Sequence, residues 1–293
     1  MRLLALITLF SSLALAGPIG SVNQLVVFGD SLSDNGNAAI VAASLHIPFP
    51  QLSNGPLWID QLAGKLSLPD PQPFLAGTGG TNYAIATAQT GSNGLSGVSD
   101  QLAAFALSNP GGAPANALYT LWAGANDIFN GDNPVVAADN IFNNILSLAG
   151  GGGKYFLWLN LPDLGLTPRA VAAGQTVPAN LASSAFNAEW AVDLSKLQAQ
   201  GVNVIGVNVE ALFTQIVANP AAFGFDNVTD PGQGTPNPNS HLFWDDEHPT
   251  TAGYALVANL AFADLSVPEP ASVAFAALGL LSLVAWKRRA KKA

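Results

Sequence analysis

The sequence predicts an α/β fold, a parallel sheet covered by helices on both faces, and three observations carry that prediction. Apolar runs without alternation, rich in β-branched or aromatic residues, stand at 25–28, 118–122, 155–161 and 202–207. Such runs fit strands buried on both faces. Alanine-rich stretches at 134–148, 177–200 and 250–264 repeat apolar residues at three- and four-residue steps, the spacing of one helix face. Strands and helices alternate along the chain, which favours parallel pairing through helical crossovers. A further strand is expected within 70–86, where prolines and glycines blur the pattern.

The two ends read differently from the middle. Residues 1–16 join Met1-Arg2 to a mostly apolar run ending in Ala14-Leu15-Ala16, the pattern of a secretory signal peptide cleaved near Gly17. In 267–293, Val267-Pro268-Glu269-Pro270 precedes a 16-residue apolar run and a tail of Lys287, Arg288, Arg289, Lys291 and Lys292. A spanning helix usually needs about 20 apolar residues, so this run is a short transmembrane helix whose basic flank stays cytoplasmic. The order of PEP box, apolar helix and basic tail resembles the PEP-CTERM sorting signal of bacterial surface proteins. That resemblance implies export, transient membrane anchoring, and processing by an exosortase-like enzyme, leaving the product extracellular or on the cell surface.

Residues 17–266 are then the folded domain, long enough for one well-filled core. It keeps four basic residues, Lys65, Lys154, Arg169 and Lys196, against eighteen acids, a formal balance of −14. A surface so acidic repels phosphate backbones, which argues against a nucleic-acid partner. Cysteine is absent, so disulfides and thiolate metal sites are impossible and packing alone must stabilise the fold.

The candidate chemistry begins in Phe28-Gly29-Asp30-Ser31-Leu32-Ser33-Asp34-Asn35-Gly36-Asn37, just after the first predicted strand. Ligands of open parallel sheets bind at the carboxyl ends of strands. A serine becomes a useful nucleophile only when a base takes its proton and a carboxylate orients that base. Three histidines exist, His46, His241 and His248. His46, in Leu45-His46-Ile47-Pro48, reads as a loop residue, and His241 ends a polar loop. His248 follows Asp245-Asp246-Glu247 and precedes a predicted helix. The positive helix end would lower its pKa, whereas the neighbouring acids would raise it. Asn126, in Gly124-Ala125-Asn126-Asp127 after the second strand, suits either a simple turn or an amide donor to a developing oxyanion. Trp58, Trp122, Phe129 and Trp244 lie near these segments and suit either an acyl chain or the core.

Four segments in order, Gly29-Asp30-Ser31-Leu32, Gly80-Thr81-Asn82-Tyr83-Ala84, Gly124-Ala125-Asn126-Asp127 and Asp245-x-x-His248, resemble the GDSL or SGNH esterases and lipases. Ser53-Asn54-Gly55-Pro56-Leu57-Trp58 and Asn160-Leu161-Pro162-Asp163-Leu164-Gly165 resemble their secreted branch related to phospholipases and lecithinase-haemolysins. The resemblance extends over about 25–254. It implies a three-layer α/β/α sandwich of flavodoxin-like kind around a mainly parallel five-stranded sheet, with neither cofactor nor metal. It also implies Ser31 as nucleophile, His248 as general base and then acid, and Asp245 as its orienting carboxylate. The oxyanion hole would take the Ser31 backbone N–H, a backbone N–H of the second segment, and the Asn126 amide. Where the family carries glycine for that second donor, this chain has Thr87, which retains the N–H but tolerates fewer backbone angles. The absence of a second glycine after Gly29-Asp30-Ser31 argues against the common α/β-hydrolase elbow. The implied activity is hydrolysis of lipid esters or of O-acetyl groups on a polysaccharide. The competing reading is a non-catalytic surface or matrix protein that binds glycan. Ser33, the other serine of the first segment, suits local turn or helix-capping chemistry for the stretch that follows.

Overall fold

The structure, a computed structural model, describes residues 22–77 and 79–266. The expected leader, PEP box, apolar run and basic tail lie outside the described residues. Among the described residues, no helix is long and apolar enough to cross a membrane.

Four strands form one parallel sheet in sequential order: β1 (Gln24–Gly29), β2 (Ala117–Trp122), β3 (Tyr155–Leu159) and β4 (Val204–Val207). Alternate side chains enter two separate cores, as a period of two requires. Leu25, Val27, Leu118, Leu157 and Leu159 pack with α2 (Trp58–Leu66), α8 (Val209–Ala218) and α9 (Thr251–Ser266). Val26, Phe28, Tyr119, Phe156 and Trp158 face the other way, toward α3 (Val98–Ser108), α5 (Pro134–Gly150) and α7 (Thr176–Ala199). The three layers are therefore those expected. Burial of each large apolar side chain contributes roughly 1.5–3 kcal/mol, and both faces are needed because neither is wetted.

The sheet has four strands among the described residues, not the five expected. The segment sought within 70–86 touches β1 through a single parallel bridge, Val27 to Asn82. Its backbone does run beside β1: the Val27 N–H donates to Thr81 O and the Tyr83 N–H to Val27 O, at 2.9 and 2.8 Å. The Ile85 N–H continues the run to Gly29 O at 3.2 Å, but the Gly29 N–H goes to Gln101 Oε1 at 3.0 Å, so no ladder extends beyond the bridge. The buried Asn82 is itself fixed by its side chain, whose amide donates to Ser33 O and Asn35 Oδ1 while its Oδ1 accepts the Ala84 N–H.

Two shorter helices, α1 (Asn37–Ser44) and α4 (Ala125–Asn130), follow β1 and β2, and α6 (Pro168–Ala172) follows β3. Start signals are local. Asn133 caps α5 ahead of Pro134, Thr167 caps α6, and Asn208 caps α8. The α1 start differs from expectation. Asp34, not Ser33, takes its N–H groups, those of Gly36, Asn37 and Ala38 at 2.8, 2.7 and 3.0 Å. Ser33 is instead buried and accepts the indole N–H of Trp58.

The register places Gly29 beside Trp122, so the segments leaving β1 and β2 emerge together at the carboxyl edge of the sheet. A side chain at Gly29 would put its Cβ 2.4 Å from Trp122 O. Gly29→Ala is therefore expected to lower stability by about 1–3 kcal/mol through backbone displacement, read as a reduced urea midpoint with an unchanged m-value. A wild-type midpoint would mean the edge is looser than this geometry.

Candidate active site

The residue after β1 is Asp30, and from it the chain makes one tight helical turn: the Ser33 and Asp34 N–H groups both donate to Asp30 O at 3.0 Å. Asp30 Oδ1 accepts the Leu32 N–H at 3.0 Å. These bonds engage the N–H groups around Ser31, whose own N–H has no protein partner among the described residues. No helix starts at Ser31; α1 begins at Asn37. Gly29 is held from behind by Gln101, whose amide donates to Gly29 O and whose oxygen accepts the Gly29 N–H, at 2.8 and 3.0 Å.

One cavity gathers Ser31, Asn126 and His248, with Asp30, Trp122, Phe129, Pro162, Leu164, Phe213 and Phe243 among its other walls. Its lining is mostly apolar. Of the four aromatics flagged from sequence, Trp122 and Phe129 reach it. Trp58 and Trp244 do not: Trp58 is core, and the Trp244 indole donates to Gln51 O at 2.9 Å. Neither His46 nor His241 lines it. His46 is exposed, and the His241 ring sits 3.1 Å from Asp230 O.

His248 is buried, with Nδ1 2.7 Å from Asp245 Oδ2. Asp245 Oδ1 accepts the N–H groups of Glu247 and His248 at 3.0 and 2.7 Å, so one short loop holds both side chains. Nε2 of His248 is buried and makes no hydrogen bond among the described residues. Burial pushes the Asp245 carboxyl upward, but the His248 ring and the two loop N–H groups outweigh it and hold it below the ordinary carboxylate range. Burial depresses the imidazole pKa, yet the hydrogen bond and charge of Asp245, aided by Glu247 and Asp30, leave it raised. The helix end does not decide the balance, because α9 starts three residues later, at Thr251.

Asn126 stands on α4, whose entry at Gly124 (φ +130°) passes so close to Phe186 that a Cβ would lie 2.6 Å from the ring. One amide proton of Asn126 donates to Ala88 O at 3.0 Å. The other has no protein partner among the described residues. Ala88 belongs to the turn containing Thr87, and Ala86 N–H donates to Asp34 Oδ2 at 2.8 Å. Thr87 is exposed and does not line the cavity. It adopts φ +68°, the left-handed region where a glycine would be at ease, and its N–H has no partner among the described residues.

Sequence reasoning missed the residues that brace these groups. Ser53 Oγ donates to Pro249 O, Asn54 Oδ1 accepts the Thr251 N–H, and Trp58 reaches Ser33. A single stretch thus ties the loop after His248 to the turn after Ser31. The signal was present in the second resemblance, but nothing in that stretch names its partners, some 190 residues away. Away from the cavity, Asp139, Glu189 and Asp193 bring carboxylate oxygens within 4.8 Å of one another. The Lys196 ammonium already pairs with the last two, at 3.3 and 2.7 Å.

Asp30 is 1% exposed, with Oδ2 unpartnered among the described residues. Burial is the main reason its carboxyl is pushed up to about 7, opposed by the Leu32 N–H and by His248. The folded protein then keeps this proton to about pH 7, whereas an unfolded aspartate releases it near 4. Raising the pH across that window therefore removes stability from the wild type, on the order of 4 kcal/mol. Asp30→Asn, which keeps the acceptor for Leu32, is expected to gain on the wild type between pH 5 and 8 in urea unfolding. A difference independent of pH would refute this assignment.

The family model described as GDSL-like Lipase/Acylhydrolase matches residues 25–261, and that described as PEP-CTERM protein-sorting motif matches 266–289. Thermolabile hemolysin of Vibrio parahaemolyticus is 28% identical over 270 residues, covering 81% of this chain and 62% of the relative. Esterase EstA of Pseudomonas aeruginosa is 33% identical over 189 residues, covering 54% of this chain and 27% of the esterase. The chain thus spans less than two thirds of the length of either relative. A crystal structure of a lipolytic G-D-S-L family member from Veillonella parvula aligns with 83% of this chain and 97% of its own, at TM-score 0.50 and 14% identity, a likeness of fold. With the family match running from the first strand into the last helix, this chain belongs to the GDSL-like lipase/acylhydrolase family.

Proposed function

We propose that this protein is an exported serine esterase that hydrolyses carboxylic esters through an acyl-enzyme. The observation that carries the reading is the Asp245–His248 pair, with a free, buried Nε2 in a cavity shared with Ser31 and Asn126. Ser31 Oγ attacks the ester carbonyl while His248 Nε2 takes its proton. Asp245 keeps the proton of the resting ring on Nδ1 and stabilises the imidazolium. The tetrahedral oxyanion is met by the Ser31 N–H and the Asn126 amide, both on the cavity wall, donors that act on charge appearing only in the transition state. The unpaired Thr87 N–H, outside the lining but on the turn that Asn126 holds through Ala88 O, is the third donor of this reading. His248 returns the proton to the leaving alkoxide, and water repeats the sequence on the acyl-enzyme.

The apolar walls from Trp122, Phe129, Phe213 and Phe243 suit the acyl part of the ester. Lipid esters fit such a wall, and an O-acetyl group on a polysaccharide is the other substrate of the same chemistry. A panel of acyl chain lengths and acetylated glycans separates them. Residues 1–16 act as the export leader. The matched sorting motif at 266–289 supports delivery to the cell surface through an exosortase-type enzyme, with the short apolar run as a transient anchor.

A serine-reactive fluorophosphonate is expected to label the wild type and not Ser31→Ala, with nitrophenyl ester hydrolysis falling by about 10³-fold or more. No labelling and no hydrolysis by the wild type would leave the non-catalytic, glycan-binding reading. The acid limb of kcat/KM should lie above the ordinary histidine pKa of about 6.5, because His248 is raised and must be neutral to act. Asp245→Asn should lower turnover and move that limb to lower pH, since burial then acts on the imidazole without its partner.

Thr87→Gly should keep the main-chain donor and remove left-handed strain of about 1 kcal/mol or more, leaving activity intact. Loss of activity in a folded Thr87→Gly variant would assign the role to the threonine side chain.

A further inference from the structure

The proposed mechanism uses neither Arg169 nor the helix that carries it, yet Arg169 touches both walls of the cavity. Its backbone N–H donates to Asp246 O at 2.8 Å. Its Nη1 lies 2.5 Å from Glu247 Oε2. The guanidinium carbon stands 4.2 Å from the centroid of the Phe129 ring. Asp246 and Glu247 are the two residues between Asp245 and His248. Phe129 lies one turn after Asn126 on α4, on the same helix face. One side chain therefore links the loop of the general base to the helix of the oxyanion amide.

Its own footing is firm. α6 starts at Pro168, and Thr167 Oγ1 both caps Ala170 N–H at 3.2 Å and donates to Leu164 O at 2.7 Å. Thr167 and Leu164 are themselves cavity walls. Arg rather than Lys suits the position, because a flat guanidinium lies on the ring and pairs at its edge at once.

The second consequence is electrostatic. The groups acting on His248 are Asp245 and Glu247 on its own loop and Asp30 on the turn after β1, and Asp163, between β3 and α6, lines the same cavity. Asp127 on α4 and Tyr254 on α9 act on or respond to Asp30 behind them. All but Tyr254 are acids. Within this surplus, Arg169 is the cation paired with Glu247.

We propose that Arg169 is a positioning residue of the esterase site: it holds the Asp245–His248 loop against α4 and balances the Glu247 charge beside the imidazole. The proposal rests on the esterase reading. A half-exposed ion pair contributes little to folding stability, so the effect belongs in the kinetics, where small misplacements of a base are expensive.

The test is Arg169→Met, which keeps an apolar contact for Phe129 and removes the charge. The expected result is a kcat about tenfold lower with KM nearly unchanged, and an acid limb of kcat/KM displaced to higher pH. Glu247, left unpaired, would favour the imidazolium. Arg169→Lys should return the limb toward wild type, and Glu247→Gln alone should move it to lower pH. The double variant Arg169→Met/Glu247→Gln should show less than the product of the two rate losses. Folded Arg169→Met with wild-type kcat and limb would overturn the proposal. Should Arg169→Met fail to fold, an unmoved limb in Glu247→Gln would overturn it equally. Fluorophosphonate labelling of the full-length wild type keeps the two ideas apart: no label removes the esterase reading, whereas label with unchanged variants removes only Arg169's role.

Discussion

The turn that leaves β1 must bury polar backbone at a sheet edge where water is scarce, and everything at the cleft depends on how that turn is satisfied. Each N–H or carbonyl left unpaired there would cost about 1–3 kcal/mol. Asp34 accepts four N–H groups, from Gly36, Asn37, Ala38 and Ala86. Asp30, Gln101 and Asn82 take up the rest of the turn on three sides. With its neighbours committed, Ser31 keeps a free N–H and a side chain on the cavity wall.

That arrangement joins distant parts of the chain through a few buried groups. Asp34 reaches the Thr87 turn, which reaches Asn126 through Ala88, while Trp58 and Asn54 connect the Ser31 turn to the loop after His248. Buried polar networks of this kind are rigid when complete. Pre-organised donors need no rearrangement as charge develops, which is where electrostatic catalysis gains most. The price is visible at Asp30, a carboxyl raised by its burial, which the single donor at Leu32 only partly opposes.

The acidity of the domain has a local counterpart around His248. Asp245 alone would suffice to orient the ring, yet Glu247 adds further negative field, and so does Asp30 once it loses its proton. Burial pulls in the opposite direction, and the outcome is an imidazole poised above its usual pKa. Arg169 moderates the field from the side and, through Phe129, couples it to α4.

Much of this was legible in the order of residues. Strand and helix positions follow from periodicity, because a two-sided core repeats its demand for apolar side chains along every element. The candidates Ser31, Asn126, Asp245 and His248 stand out through the order of four segments that resemble the GDSL esterases; their places after a strand or before a helix left each one open by itself. Other features were not legible. The fifth strand is reduced to a bridge because the Gln101 side chain, 72 residues from Gly29, takes the N–H that a ladder would need, a contest that composition does not reveal. Capping by Asp34 instead of Ser33, the core placement of Trp58, and the reach of Arg169 across the cleft depend on which surfaces meet. Local sequence determined the elements and named the candidate residues, since periodicity and motifs arise from neighbours along the chain. Tertiary structure alone decided the electrostatics and the bracing of the site, since burial and charge proximity are set by residues far apart in sequence.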